Sequence, residues 1–327
     1  MVDPLPKLSG WLLLDKPRGL GSTQAVGAVK RNLREGGYPK VKVGHGGTLD
    51  PMAEGVLLIA LGEATKLSGR MLDADKVYEF TIQFGEETDT LDAEGEVLAR
   101  SDRRPPRAAI AAICEHFIGE IDQVPPKYSA LKVDGKRAYD LARAGEEVEL
   151  ETRRVTIHSL EPLGGGGGHR LDSAFATTAG RPDPYDPQTP LELADTVTLV
   201  ARVSKGTYIR SLARDIAHAL GTVGYVTYLR RTKAGPFAED QAISLDLLNE
   251  IGNGARIQDH LLPLEAGLDG IPALSLDPDS AQAARQGRVV SGLPHPDGLH
   301  FAKLGGVPVA LVELDGGTMK VVRGFNL

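Results

Sequence analysis

The sequence predicts an α+β fold built around a largely antiparallel sheet. Three observations carry that reading. In Tyr78-Glu79-Phe80-Thr81-Ile82-Gln83-Phe84 the apolar residues alternate, which is the period of a strand with one buried face. Val197, Leu199, Ala201 and Val203 alternate in the same way and run into Gly206, after which Leu212, Ile216 and Leu220 recur at helical spacing. Strands and helices also follow one another without the regular βαβ repeat that a parallel sheet needs.

The elements can be taken in order. Trp11-Leu12-Leu13-Leu14 reads as a buried strand ending at Pro17. Ser22 then suits the N-cap of a helix whose Val26, Val29 and Leu33 line one side, closed by Gly36-Gly37. Val56-Leu57-Leu58-Ile59-Ala60-Leu61 is an apolar run of strand length. On the next strand Tyr78 shares a face with Phe80, Ile82 and Phe84. Ile110, Ile113 and Phe117 lie at helical spacing beside Cys114, which reads as a core residue rather than a nucleophile. Residues 164–194 hold a run of five glycines and then Arg181-Pro182-Asp183-Pro184-Tyr185-Asp186-Pro187. Such composition buries too little surface to offset its ordering entropy, so a flexible insertion is expected. No Gly-Lys-Ser/Thr follows the glycines, so they are not read as a phosphate cradle. Past Gly267–Pro272, two apolar runs, Val307–Val312 and Met319–Val322, flank an Asp315-Gly316-Gly317 hairpin signal and predict a small β-rich unit.

The 327 residues leave ample chain for a buried core, and 41% hydrophobic with 25% charged residues is the balance of a globular protein. No apolar run approaches the roughly 18 residues of a membrane helix. The opening residues lack the basic and apolar regions of a secretory signal. Cys114 is the only cysteine, so no intrachain disulfide can form, and a reducing cytoplasm is the expected compartment. No His-x-x-x-His pair or cysteine cluster offers metal-ligand spacing. A net charge of −7 argues against a polyanionic partner, but the distribution answers the objection. Residues 1–72 carry net +4 and residues 201–235 net +6, whereas residues 73–102 carry −8. An acidic chain can still present a basic face.

The most informative stretch is Gly44-His45-Gly46-Gly47-Thr48-Leu49-Asp50-Pro51. Its glycines permit positive φ angles or close approach of another molecule, and Pro51 disfavours the helical region for Asp50. The loop thus delivers one carboxylate in an extended conformation. Taken alone it could equally be an ordinary turn.

This octapeptide resembles the signature of the TruB family of tRNA pseudouridine synthases, which isomerise uridine 55 in the T-loop. Lys76-Val77-Tyr78, Ser204-Lys205-Gly206-Thr207-Tyr208-Ile209-Arg210 and Tyr228-Leu229-Arg230-Arg231 follow in the family's order. Asp15-Lys16-Pro17 and Val124-Pro125-Pro126-Lys127-Tyr128-Ser129-Ala130-Leu131-Lys132 match as well. The resemblance spans about Gly10 to about Leu248. It implies the pseudouridine synthase fold over residues 8–266, with a thumb-like segment at about 124–150 and the insertion at about 164–194. Residues 267–327 would form the small β-rich C-terminal domain, PUA-like and RNA-binding in many relatives.

The resemblance also implies roles. Asp50 matches the essential aspartate, Arg210 the arginine that pairs with it, and Tyr78 the active-site tyrosine. Arginine suits the pairing because its planar fork can hold a carboxylate at two points. Tyr208 and Leu229 match residues lining the uracil pocket, and His45 the histidine that enters the T-loop as the target base leaves its stack. Lys16 would brace the active-site loop or touch phosphate, and Lys127, Lys132, Lys136 and Arg137 would follow the RNA backbone. Read singly, Leu229 is a core leucine, Arg210 a surface arginine of a first helical turn, and the lysines solvated. The implied protein uses no cofactor or metal, binds the T-arm of tRNA, does not enter membranes and acts as a monomer. Two other functions suit the same residues less well: a tRNA-folding chaperone without chemistry, and a glycosidase-like hydrolase, which ordinarily needs two carboxylates.

Overall fold

The computed structural model describes every residue except 1–4, 134, 147, 149, 164–190 and 255. Most of the expected insertion therefore lies outside the described residues. Packing divides the chain into two units, one formed by Met1–Leu49, Val56–Leu72 and Ala234–Leu327, the other by Asp50–Gly55 and Asp73–Lys233.

In the first unit, strand Gly10–Lys16 lies beside strand Glu54–Leu61, whose residues from Val56 on are fully buried. Trp11 is fully buried, yet its indole N–H is satisfied by the Leu264 carbonyl at 3.2 Å. The core around it includes Leu13, Leu58, Phe237, Leu264, Leu268, Leu311 and Phe325. The expected boundary at 266/267 thus falls inside this unit. The helix Ser22–Glu35 buries Val26, Val29 and Leu33, as its spacing predicts. Ser22 is not its cap. Gly21 precedes the first turn, with its N–H on the Gln24 side chain, and the Ser22 hydroxyl binds both the N–H and the carbonyl of Leu49 at 2.8 Å. A serine at a helix start is free to serve a neighbouring loop when another residue takes the cap.

The β-rich C-terminal region appears as expected. Strands Gly298–Leu304, Val307–Asp315 and Thr318–Gly324 run antiparallel, with Ala273–Ser275 and Val290–Ser291 at the two edges. Gly316 and Gly317 turn the hairpin with φ of +54° and +72°, which is the two-residue turn whose twist matches the flanking strands. Leu274, Ala302, Val309, Val312, Leu314 and Met319 form its core, with Ala281 and Ala284 of helix Pro278–Arg285.

In the second unit the strand order is Gly224–Ala234, Lys76–Phe84, Thr196–Val203, Arg153–Pro162, Gly119–Gln123. From Lys76–Phe84 onward the pairings are antiparallel. The other side of Gly224–Ala234 pairs in parallel with Glu54 and Gly55, which makes the sheet mixed. Phe80, Ile82 and Phe84 are buried together as the alternation predicts, and Tyr78 is half-buried. Helix Ile209–Ala219 buries Leu212 and Ile216. Cys114 is buried in helix Arg107–His116, and burial pushes its thiol up to about 11, so it stays an inert core group. No helix among the described residues is long and apolar enough to cross a membrane.

Lys76, the first residue of its strand, is buried with its ammonium on the Ala74 carbonyl at 2.6 Å. Burial, with Arg231 adding to it, lowers its pKa from 10.5 to about 8. Between those values the unfolded chain holds a proton that the folded chain has released, so stability rises with pH there. Relative to Lys76→Met, the wild type should gain up to about 3 kcal/mol of unfolding free energy across this window. Urea titrations of both proteins at a series of alkaline pH values check this; a pH-independent difference would refute it.

Candidate active site

The Asp50 loop is closed on itself and paired within the second unit. The residue before it, Leu49, exchanges its two backbone bonds with Ser22, and the Ala53 N–H closes back on the Asp50 carbonyl at 3.1 Å. Five residues after Asp50, Gly55 pairs with Arg231 at a φ of +98°. A Cβ built there would clash with the Arg231 carbonyl oxygen. Only glycine lets the loop lie this close to the strand. Glu54 joins the same anchorage through Arg230 at 3.4 Å.

Arg210 enters from the second residue of helix Ile209–Ala219 and is buried, not the surface arginine its position alone suggests. Its Nη2 meets Asp50 Oδ2 at 2.9 Å and donates to the Tyr128 carbonyl at 2.9 Å. Its Nη1 meets Asp92 Oδ2 at 3.2 Å and donates to the Thr90 carbonyl at 2.7 Å. The expected two-point embrace of Asp50 is therefore not what forms. The guanidinium fork is divided between two carboxylates, because a second acid, Asp92, occupies its other side.

Asp92 is the residue that sequence reasoning missed. Its Oδ1 accepts the Thr90 hydroxyl at 2.6 Å and the Glu94 N–H at 3.0 Å. The turn is pinned to strand Gly224–Ala234 by Val226, which bonds Leu91 and Ala93. Leu91 adopts a φ of +61°, alone among described non-glycine residues. That conformation costs about 1 kcal/mol or more, and it lies where the second carboxylate is aimed at Arg210. Side-chain exposure separates the three groups: Arg210 and Asp92 are 5% exposed, Asp50 36%. A buried cation is held by a buried acid below it, and one carboxylate, Asp50, stays open to a ligand.

Tyr208 immediately precedes the same helix. Burial pushes its phenol above the ordinary value, and the Asp50 carboxylate nearby adds to the shift against the opposing Arg153 and Arg210. A phenol shifted this way stays neutral and can offer a ring face or a hydrogen bond. Tyr78 lies on strand Lys76–Phe84 opposite Ala201, and among the described residues its phenol makes no hydrogen bond. Leu229 is buried on strand Gly224–Ala234. The structure thus brings Asp50, Arg210 and Tyr208 together, with Tyr78 and Leu229 on strands of the same unit.

The remaining expected residues divide. His45 and Lys16 belong to the first unit. His45 is half-buried at the end of strand Val43–His45, opposite Ile59. Lys16 is fully buried, and its ammonium donates to the Pro17 and Leu20 carbonyls at 2.9 and 2.8 Å, so it braces its own turn. Lys127, Lys132, Lys136 and Arg137 are all exposed. Lys132 and Arg137 face one another across a short hairpin that leads into helix Ala138–Arg143.

Comparison with known proteins identifies a family for the chain. A family model described as TruB family pseudouridylate synthase (N terminal domain) matches residues 34–173, and one described as tRNA pseudouridylate synthase B C-terminal domain matches residues 210–269. The chain is 63% identical over 98% of its length to the tRNA pseudouridine synthase B of Novosphingobium aromaticivorans, of which 98% is covered. It is 52% identical over 99% of its length to that of Zymomonas mobilis, again with 98% covered. Among solved structures, a Cbf5-Nop10-Gar1 complex contains a chain that matches with a TM-score of 0.67 and 26% identity, covering 97% of this chain and 85% of that one.

Proposed function

The chain belongs to the TruB family of pseudouridylate synthases, and we propose that it isomerises uridine 55 in the T-loop of tRNA to pseudouridine. The observation that carries this reading is a single open carboxylate, Asp50, set on a buried arginine that a second acid holds from behind. The reaction breaks the N1–C1′ bond, turns the uracil, and joins C1′ to C5. C5 loses its proton and N1 gains one, so atoms balance without a redox partner. Such a reaction needs a reactive carboxylate beside sugar and base, a cavity that retains the freed ring, and a group to take the C5 proton. Asp50 supplies the first, and Tyr208 and Leu229 are assigned to the cavity. Tyr78, with an uncommitted phenol, is assigned to the base and its C5 proton.

A hydrolase needs a second carboxylate placed to direct water. Asp92 is buried and engaged on both oxygens, which suits it to holding Arg210 instead. A pure RNA-folding role would need neither acid. Incubating the protein with an unmodified tRNA transcript and mapping pseudouridine should show modification at uridine 55; tRNA returned unmodified would refute the reading.

The target base must leave its stack, at an expense of a few kcal/mol, and His45 is assigned to fill the vacated place. The exposed hairpin is assigned to the RNA backbone. Lys132 and Arg137 face each other with like charge, an arrangement unfavourable by itself and relieved when a phosphate lies across it. Binding should weaken linearly in a log–log plot against salt, and reversing the charge of both residues should reduce the slope by about 1 to 2. An unchanged slope would return them to solvent. We further propose that the protein acts in the cytoplasm and as a monomer.

A further inference from the structure

We propose that Gln123 is a positioning residue of this site, resting on the active-site reading above: its side-chain amide clamps the backbone of Tyr208 and so aims both Tyr208 and Arg210 at Asp50. Gln123 ends strand Gly119–Gln123 and is fully buried. Its Oε1 accepts the Tyr208 N–H at 2.8 Å, and its Nε2 donates to the Tyr208 carbonyl at 3.2 Å. One carboxamide thus engages donor and acceptor of a single peptide residue, as a neighbouring strand would.

The place clamped is where the site most needs it. Tyr208 is extended, with φ of −101° and ψ of 112°, and is the N-cap of helix Ile209–Ala219, where no side chain caps the first turn. Helix starts without a cap leave backbone donors unsatisfied and free to fray. The next residue after Gln123 continues the attachment. The Val124 carbonyl accepts the Ser211 hydroxyl at 2.8 Å and Arg214 at 3.3 Å. Arg210 lies between Tyr208 and Ser211, both anchored to this segment, so its direction follows from how the first turn is held. A displacement of about 1 Å at a reacting group can lower a rate about a hundredfold.

Two variants separate positioning from packing. Gln123→Leu keeps the volume and removes both bonds. Gln123→Glu keeps the shape, and its protonated form restores both bonds, because the carboxylic O–H donates to the Tyr208 carbonyl. Its ionised form sets a second acceptor against that carbonyl and loses one bond. The charged and titratable groups around the position are Arg153 in register on the adjoining strand, Arg214 and Asp215 on the helix, Asp122 beside it, and the Tyr208 phenol. All are present in every variant, so they cancel when each activity is divided by that of the wild type at the same pH.

Single-turnover rates and tRNA affinities should be measured for all three proteins from mildly acid to mildly alkaline pH, with unfolding midpoints alongside. Gln123→Leu should lose about tenfold to a hundredfold in rate at every pH, with affinity changed by less than about threefold. The Gln123→Glu ratio should approach the wild type in acid and fall toward that of Gln123→Leu as pH rises. A wild-type rate for Gln123→Leu, or a Gln123→Glu ratio that stays at the Gln123→Leu level at every pH, would overturn the assignment. Amide hydrogen exchange at Tyr208 in the free proteins gives an answer independent of turnover. Exchange should quicken in Gln123→Leu, and an unchanged rate would mean no clamp. Absence of pseudouridine with the wild type itself would instead strike the functional reading.

Discussion

Asp50→Asn should retain tRNA binding and lose pseudouridine formation altogether. The amide keeps the shape and can still accept from Arg210 Nη2, which meets Asp50 at 2.9 Å. What disappears is the charge and nucleophilicity of the open carboxylate, and the other carboxylate on Arg210, Asp92, cannot step in, because it is buried and bonded on both oxygens. Affinity should change by less than about tenfold, since phosphate contacts dominate binding to nucleic acid. Filter binding and single-turnover kinetics separate the two quantities. Turnover by the variant, once deamidation to aspartate is excluded by mass spectrometry, would remove Asp50 from the chemistry.

Asp92→Ala should produce the next largest loss. It leaves Arg210, 5% exposed, with one carboxylate where it had two, and breaking a buried pair by removing one partner costs about 3–5 kcal/mol. Part of that should appear as lower stability in urea. The rest should appear in the rate as a fall of about a hundredfold or more, because Arg210 can swing off Asp50 toward other acceptors. Asp92→Asn should lose less, since its oxygen still accepts from Arg210. Wild-type rates in Asp92→Ala would mean that the Thr90 and Tyr128 carbonyls suffice to hold the arginine.

The contrast between the two acids shows what a sequence can and cannot display. Asp50 is legible because glycines and a proline surround it and fix its backbone. Asp92 sits in Thr90-Leu91-Asp92-Ala93-Glu94-Gly95, within the most acidic part of the chain, where one more aspartate looks like solvated surface. Its burial comes from long-range pairing with Val226 and from an unusual leucine φ, and neither leaves a local trace. Strands 78–84 and 197–203 were readable by alternation. Arg153–Pro162 was not, because a bulge between Ile157 and Ser159 shifts the register. Its buried residues Val155, Ile157 and Leu160 therefore break the period of two. The hairpin at Lys132–Val133 and Lys136–Arg137 carries basic residues and too few apolar ones to signal a strand. Gln123 gave no sign either, since a buried glutamine is recognisable only once its partner is known.

The central claim is that this site moves a uracil from its nitrogen to its carbon without letting it go. It is tested most directly with tRNA carrying tritium at C5 of uridine and ¹⁴C in the uracil ring. Isomerisation replaces the C5–H bond by C5–C1′, so tritium should pass to water at one equivalent for each tRNA modified, while all ¹⁴C stays in the RNA. Free labelled uracil would mark a hydrolase. Tight binding with both labels retained would mark a protein that folds tRNA without chemistry, and either result would contradict the account.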